Sequence, residues 1–248
     1  MLTAEPRRAH GRGDPHRQRS TRGAWSSRRP TVPPPHGIGR TTPHGAGMAV
    51  DIVYETHSLT EDNENGIATG WLPGKLSERG RLLAAELGAR RRDTGLAAVF
   101  TSDLHRAVET ARIAFADTAI PIHQDPRLRE CDYGQLNGCP VAVLAGERAR
   151  HIDDPYPGGQ SYRQVIQATS DFLHDLAAGW NGQRVLLIAH SANKWALDCL
   201  LTGAAIEDLV DAPFGWREGW HYTLPADWPT SGPGPTVHQP GGPPRPQP

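Results

Sequence analysis

The stretch AVDIVYETHSLTEDN, residues 49–63, holds an apolar run that stops abruptly at a polar segment. Val50, Ile52, Val53 and Tyr54 have the β-branched and aromatic character of a strand. Glu55, Thr56, His57 and Ser58 carry the chain out of it. A histidine directly past a strand end either does chemistry or merely ends the strand. The pattern decides the fold because it recurs. LAAVFTS (96–102) ends in Thr101-Ser102, and RVLLIAHS (184–191) ends in Ala189-His190-Ser191.

Helical patterns separate these runs. Residues 76–93 form the first, with Ser77 as N-cap and a stripe through Leu82, Leu83, Ala85, Glu86 and Leu87. Others span 105–117, 161–180 (Ser161 as N-cap) and 192–203, and short strands are expected at 120–125 and 219–224. Strand followed by helix, repeated, predicts an α/β fold: a three-layer α/β/α sandwich with a mostly parallel central sheet. Ligands of such sheets bind beyond the carboxyl ends of the strands. Thr56-His57, Ser102 leading to Arg106, and His190 therefore converge on one edge. GWLPGKLS (70–77) lacks the first-glycine spacing of a nucleotide-binding P-loop.

Composition sets the domain limits. Residues 1–47 hold nine Arg, two acids and seven Pro without apolar periodicity, and residues 225–248 hold nine Pro. Neither has the apolar surface to offset chain ordering, so both are expected to be disordered. Residues 48–224 remain as the domain, with Met48 read as its natural start. The basic extension, at +7, leaves the domain at −8 within a total of −1. Arg-rich segments can touch nucleic acid, but disordered Arg/Pro composition specifies no partner, so nucleic acid is not expected. No apolar run reaches the roughly 18 residues of a membrane span, and no apolar signal region opens the chain. Cys131, Cys139 and Cys199, an odd number without metal spacing, fit reduced thiols in a cytoplasmic protein.

The strand-end residues suit phosphoryl transfer through histidine. An imidazole nitrogen attacks phosphorus, cationic donors hold the phosphoryl oxygens, and an acid protonates the leaving oxygen. Four motifs carry the resemblance in order: THSLTEDN (56–63), TSDLHRAVETA (101–111), LRECDYGQLNG (128–138) and LLIAHSANKWAL (186–197). The chain resembles the histidine phosphatase superfamily, the phosphoglycerate mutase-like family, over residues 50–224. That resemblance implies a phosphatase acting on a small phosphorylated metabolite, without metal or organic cofactor. It makes His57 the phosphorylated nucleophile, Arg106 and His190 the phosphoryl clamp, and Glu130 the proton donor. Thr60 and Asn63 would line the pocket beside Thr56 and Ser58, and the backbone N–H of Ser191 would assist.

Two departures qualify the match. Thr56 and Ser58 flank His57 where the family carries Arg and Gly, and Ser191-Ala192 follow His190 where it carries two glycines. Lys194 and Arg129 are the candidates to replace the lost arginine charge. Mutase-type phosphotransfer and a non-catalytic, ligand-binding role stand as alternatives. The mutase ranks lower because residues 131–160 hold few basic groups (Arg148, Arg150, His151). Trp71, Trp195, Trp216 and Trp220 read as packing residues, with Trp71 placed to reach substrate.

Overall fold

Residues 185–189 are all sealed from solvent. A run of five apolar residues is buried on both faces only where helices cover both sides of a sheet. The computed structural model, which describes residues 49–228, places this run in the middle of such a sheet. In chain order the elements are β1 (Val50–Thr56), α1 (Glu61–Glu64), β2 (Ile67–Ala68), α2 (Glu78–Arg91), β3 (Ala98–Thr101), α3 (His105–Ala114) and β4 (Ile122–Gln124). There follow β5 (Cys139–Pro140), α4 (Val141–Glu147), α5 (Tyr162–Gly179), β6 (Arg184–Ala189), α6 (Ser191–Thr202), α7 (Ile206–Val210) and β7 (Trp220–Leu224). The main sheet has the order β4-β3-β6-β1-β7. Its pairs are parallel except β1 with β7, which is antiparallel. The three-layer α/β/α sandwich expected from the sequence is the observed architecture.

Strand alternation divides the core into two layers. Ile52, Tyr54, Val185 and Leu187 point to one face, against Phe172, Leu173 and Leu176 of α5 and Leu197 of α6. Val53, Leu186 and Ile188 point to the other, against Leu87 of α2 and Ala111 and Ala114 of α3. Each such aliphatic side chain contributes roughly 1.5–3 kcal/mol relative to exposure. The α5 helix starts where expected. The Ser161 hydroxyl accepts from the Gln164 N–H at 3.2 Å, and the Gln164 amide returns to the Ser161 N–H at 2.9 Å.

The expected stripe of α2 is corrected. Leu82 is 64 % exposed, Ala85 and Glu86 are exposed, and the buried face runs through Gly80, Ala84, Leu87 and Gly88. A glycine there lets the helix sit directly on neighbouring backbone: a Cβ at Gly80 would lie 1.9 Å from the Leu59 carbonyl oxygen. A third apolar cluster joins Cys131, Tyr133, Leu144, Tyr156, Tyr162 and Trp195. It ties α4 and the loop before α5 to α6. No described helix is long and apolar enough to cross a membrane. The expectation for residues 1–47 lies outside the described residues, as does that for 229–248. Residues 225–228 are described, and Trp228 packs against the core.

Candidate active site

β1 ends at Thr56, and the backbone N–H of His57 extends its ladder to the Ala189 carbonyl at 2.9 Å. This pairing puts His57 beside His190, which follows β6. Their ring centroids are 5.0 Å apart. Arg106, in the first turn of α3, lies between them. Its Nε donates to His57 Nε2 at 3.2 Å, and its Nη2 reaches His190 Nδ1 at 3.3 Å and donates to the Gly70 carbonyl at 2.8 Å.

These contacts fix the tautomers. The Ser58 carbonyl only accepts, so His57 Nδ1, 2.7 Å away, carries the proton. His57 Nε2 is left unprotonated, its lone pair accepting from Arg106 Nε. The guanidinium only donates, so His190 Nδ1 is the acceptor and its Nε2–H faces Ser102 Oγ at 2.7 Å. Burial first, and then the Arg106 charge, push the His57 imidazolium down to about 3. Burial, Arg106 and His57 together lower His190 well below the ordinary histidine range. His190 is fully sealed, whereas His57 keeps an edge open to the cavity and to the screening of water there. Both rings are neutral at pH 7, and His57 presents an unprotonated nitrogen.

Glu130 arrives on the loop after β4. Its carboxylate accepts from the Cys131 N–H at 2.8 Å, the Ser191 hydroxyl at 2.9 Å and the Ala192 N–H at 3.2 Å. The last two sit at the start of α6, where a helix end favours negative charge. Asn193 holds the loop by donating to the Arg129 carbonyl at 3.1 Å. Beneath the site, the Tyr54 hydroxyl donates to the His190 carbonyl.

His57, Arg106, Glu130, Thr56, Asn63 and Ser191 all border one cavity of about 540 Å³. His190 sits behind Arg106. Ser58 borders it too, but its hydroxyl donates to the Gly80 carbonyl at 2.6 Å and its N–H to the Thr110 hydroxyl at 3.0 Å. It locks α2 and α3 to the histidine loop. Thr60 is fully buried and off the cavity wall. Its hydroxyl caps α1 by accepting from the Asn63 N–H at 3.0 Å, a local bond that removes it from the pocket. Lys194 is corrected as well. Its ammonium pairs with Asp198 one turn on and stands 5.3 Å from the Trp220 ring, away from His57. Arg129 is held bidentately by Asp103 at 2.5 and 2.6 Å and lies over Trp71. Trp71 donates to the Glu130 carbonyl at 2.6 Å. Neither expected replacement cation reaches the cavity.

Besides Arg106, the cations that do reach it are Arg79 and Arg90, which went unread, and Arg148, counted only among the few basic groups of its segment. Arg79, Leu83, Leu87 and Arg90 follow one another at helical spacing, a second stripe legible in the sequence but masked by the neighbouring leucines. Trp216, expected to pack, is 59 % exposed and borders the cavity with Phe214. Among the described residues no group of His, Cys, Asp and Glu side chains could hold a metal ion.

Comparison with known proteins addresses the family and the fold. The model of the histidine phosphatase superfamily (branch 1) matches residues 56–215. A 2,3-bisphosphoglycerate-dependent phosphoglycerate mutase from Bradyrhizobium sp. is 29 % identical over 71 % of this chain and 92 % of its own. The solved structure of Bacillus stearothermophilus YhfR is 28 % identical, covers 68 % of this chain and 88 % of its own, and has a TM-score of 0.62. A mycobacterial glucosyl-3-phosphoglycerate phosphatase in complex with VO3 is 25 % identical, covers 64 % and 85 %, and has a TM-score of 0.58.

Proposed function

We propose a phosphatase activity from one premise: the chain belongs to the histidine phosphatase superfamily. The substrate is a small phosphorylated metabolite, a phosphomonoester. His57 Nε2 attacks phosphorus and the P–O ester bond breaks, while Glu130, having taken the proton of the substrate's monoanionic phosphoryl group, passes it to the departing alcohol. Water then attacks the phosphohistidine, the P–N bond breaks, and Glu130 takes a proton back from that water. Inorganic phosphate leaves and His57 is restored. Arg106 turns from the two imidazoles to the phosphoryl oxygens, where a planar fork holds two at once. His190, sealed behind Arg106, orients that guanidinium through Nδ1. Ser191 and the Ala192 N–H aim the Glu130 carboxyl, while Thr56 and the Asn63 amide border the entering group.

One observation carries this reading. An unprotonated imidazole nitrogen stands 3.2 Å from a buried guanidinium, with a carboxyl bordering the same cavity. His57→Ala is expected to abolish hydrolysis of an aryl phosphate and incorporation of acid-labile, alkali-stable phosphate into the protein. Activity retained by that variant would sink the assignment.

The mutase reading gains support from Arg148, on the segment after α4. Its guanidinium borders the cavity over the Trp195 ring, where a substrate carboxylate would need a cation. A bisphosphorylated primer that stimulates 3- to 2-phosphoglycerate isomerisation above the hydrolysis rate would favour it. Isomerisation below the hydrolysis rate with primer present would favour the phosphatase.

A further inference from the structure

We infer that the phosphomonoester's alcohol carries a bulky apolar body, which seats in a trough running from His57 between α2 and the loop before β7. The inference rests on the phosphatase reading above for the identity of the reacting group. It rests on the cavity itself for the rest.

The trough has two walls. One is the α2 stripe, with Leu83 and Leu87 in its middle and Arg79 and Arg90 at its ends. At 1.5 Å per residue that stripe is about 16 Å long. The facing wall is Phe214 and Trp216, 38 % and 59 % exposed. Phe214 leans on Trp220, with ring centroids 5.9 Å apart. The loop is pinned at its far end, where Arg91 Nη2 donates to the Glu218 carbonyl at 3.0 Å. Glu55 closes the floor, and its charge is met by Arg91 at 2.7 Å.

Thr56 borders the cavity beside Glu55 and His57, so the trough and the nucleophile share one space. At about 540 Å³ the space exceeds the need of a phosphoryl group and falls in the range of drug-sized ligand sites, roughly 300–1,000 Å³. Aromatic and leucine side chains left facing such a cavity gain by covering apolar surface. The arginines at both ends disfavour a cationic body. Arg90 lies 3.8 Å from Glu55 and 3.9 Å from Glu218, and its buried Nε has no hydrogen-bond acceptor; around the cavity as a whole Arg79, Arg90, Arg106 and Arg148 outnumber Glu55 and Glu130. The fitting substrate is a neutral, apolar alcohol phosphate, not a short polyol or an amine.

The test uses primary-alcohol phosphates, whose leaving groups are similar in basicity: glycerol 3-phosphate, phosphocholine and 3-phenylpropyl phosphate. With the full chain, kcat/KM for 3-phenylpropyl phosphate should exceed that for either of the others by at least about tenfold, the worth of one well-covered aromatic edge. Trp216→Ala and Leu83→Gln should each erase most of that ratio. Both positions are at least partly exposed, so neither change threatens folding. A ratio near one, or a ratio untouched by both variants, overturns the trough while leaving hydrolysis intact. Binding of 3-phenylpropylphosphonate against methylphosphonate, measured calorimetrically on wild type and both variants, separates the two readings. Selective, variant-sensitive binding without turnover would uphold the trough and overturn the phosphatase. Unselective binding without turnover would overturn both.

Discussion

Arg106 shows what one residue must do here. Its guanidinium meets His57, His190 and the Gly70 carbonyl from a single planar fork, almost sealed from solvent. A lysine keeps the charge but not the fork. Arg106→Lys is expected to lower kcat/KM for an aryl phosphate roughly 100- to 1,000-fold, the cost of losing one transition-state donor. Its circular dichroism spectrum should stay unchanged. A loss below tenfold would remove Arg106 from the phosphoryl clamp. His57, Arg106, Glu130 and His190 were legible in the sequence because each stands just past a strand or within an intact motif. The replacement cations were not. Lys194 and Arg129 read as free charges until the fold supplies Asp198 and Asp103. Thr60 and Ser58 likewise read as pocket groups until their hydroxyls are spent on a helix cap and on the Gly80 carbonyl. Hydroxyl residues satisfy backbone groups more often than they serve ligands, and only the structure reveals which backbone group is near.

At the scale of elements, the long apolar runs and capped helices were readable, and the short pieces were not. The four-residue α1 and the two-residue strands β2 and β5 are too brief to express a period. The five-residue α7 belongs with them. The misread stripe of α2 has a different cause. Sequence favours leucines for the buried face, but this helix buries glycines to gain contact with Leu59 and Ala114 backbone. Gly80→Ala tests that contact. Its Cβ would overlap the Leu59 carbonyl oxygen and displace the Gly80 carbonyl that receives the Ser58 hydroxyl. The substitution would help an exposed helix by up to about 1 kcal/mol. Here overpacking should instead destabilise the protein by about 1–3 kcal/mol in urea titrations. Displacement of the histidine loop should lower kcat as well. A variant as stable as the parent would mean that α2 can slide away from Leu59.

For the whole molecule, the cavity lay beyond sequence reading because its walls come from α2 and from residues 214–216, about 130 positions apart. Its consequence for stability can be derived. The fold holds His57 and His190 neutral, both lowered below the ordinary value near 6.5. The unfolded chain binds protons at these positions once the pH drops below about 6.5, and the folded chain does not. Stability contributed by the two neutral rings is therefore fully present above that pH and is lost as the pH falls. The sealed His190 ring can contribute a slope of up to about 1.4 kcal/mol per pH unit between pH 6.5 and 5, and His57, whose edge meets water, contributes less. Urea midpoints measured at pH 7.5, 6.5, 5.8 and 5.0 should be level at first and then fall. His190→Asn, which has no titrating ring, should have a shallower fall whatever its absolute stability. A phosphate anion bound beside His57 favours its protonated form, so saturating phosphate should flatten the wild-type curve and leave that of His57→Ala less changed. Midpoints independent of pH across this range would show that the two rings titrate alike in both states and are not held neutral by burial and Arg106.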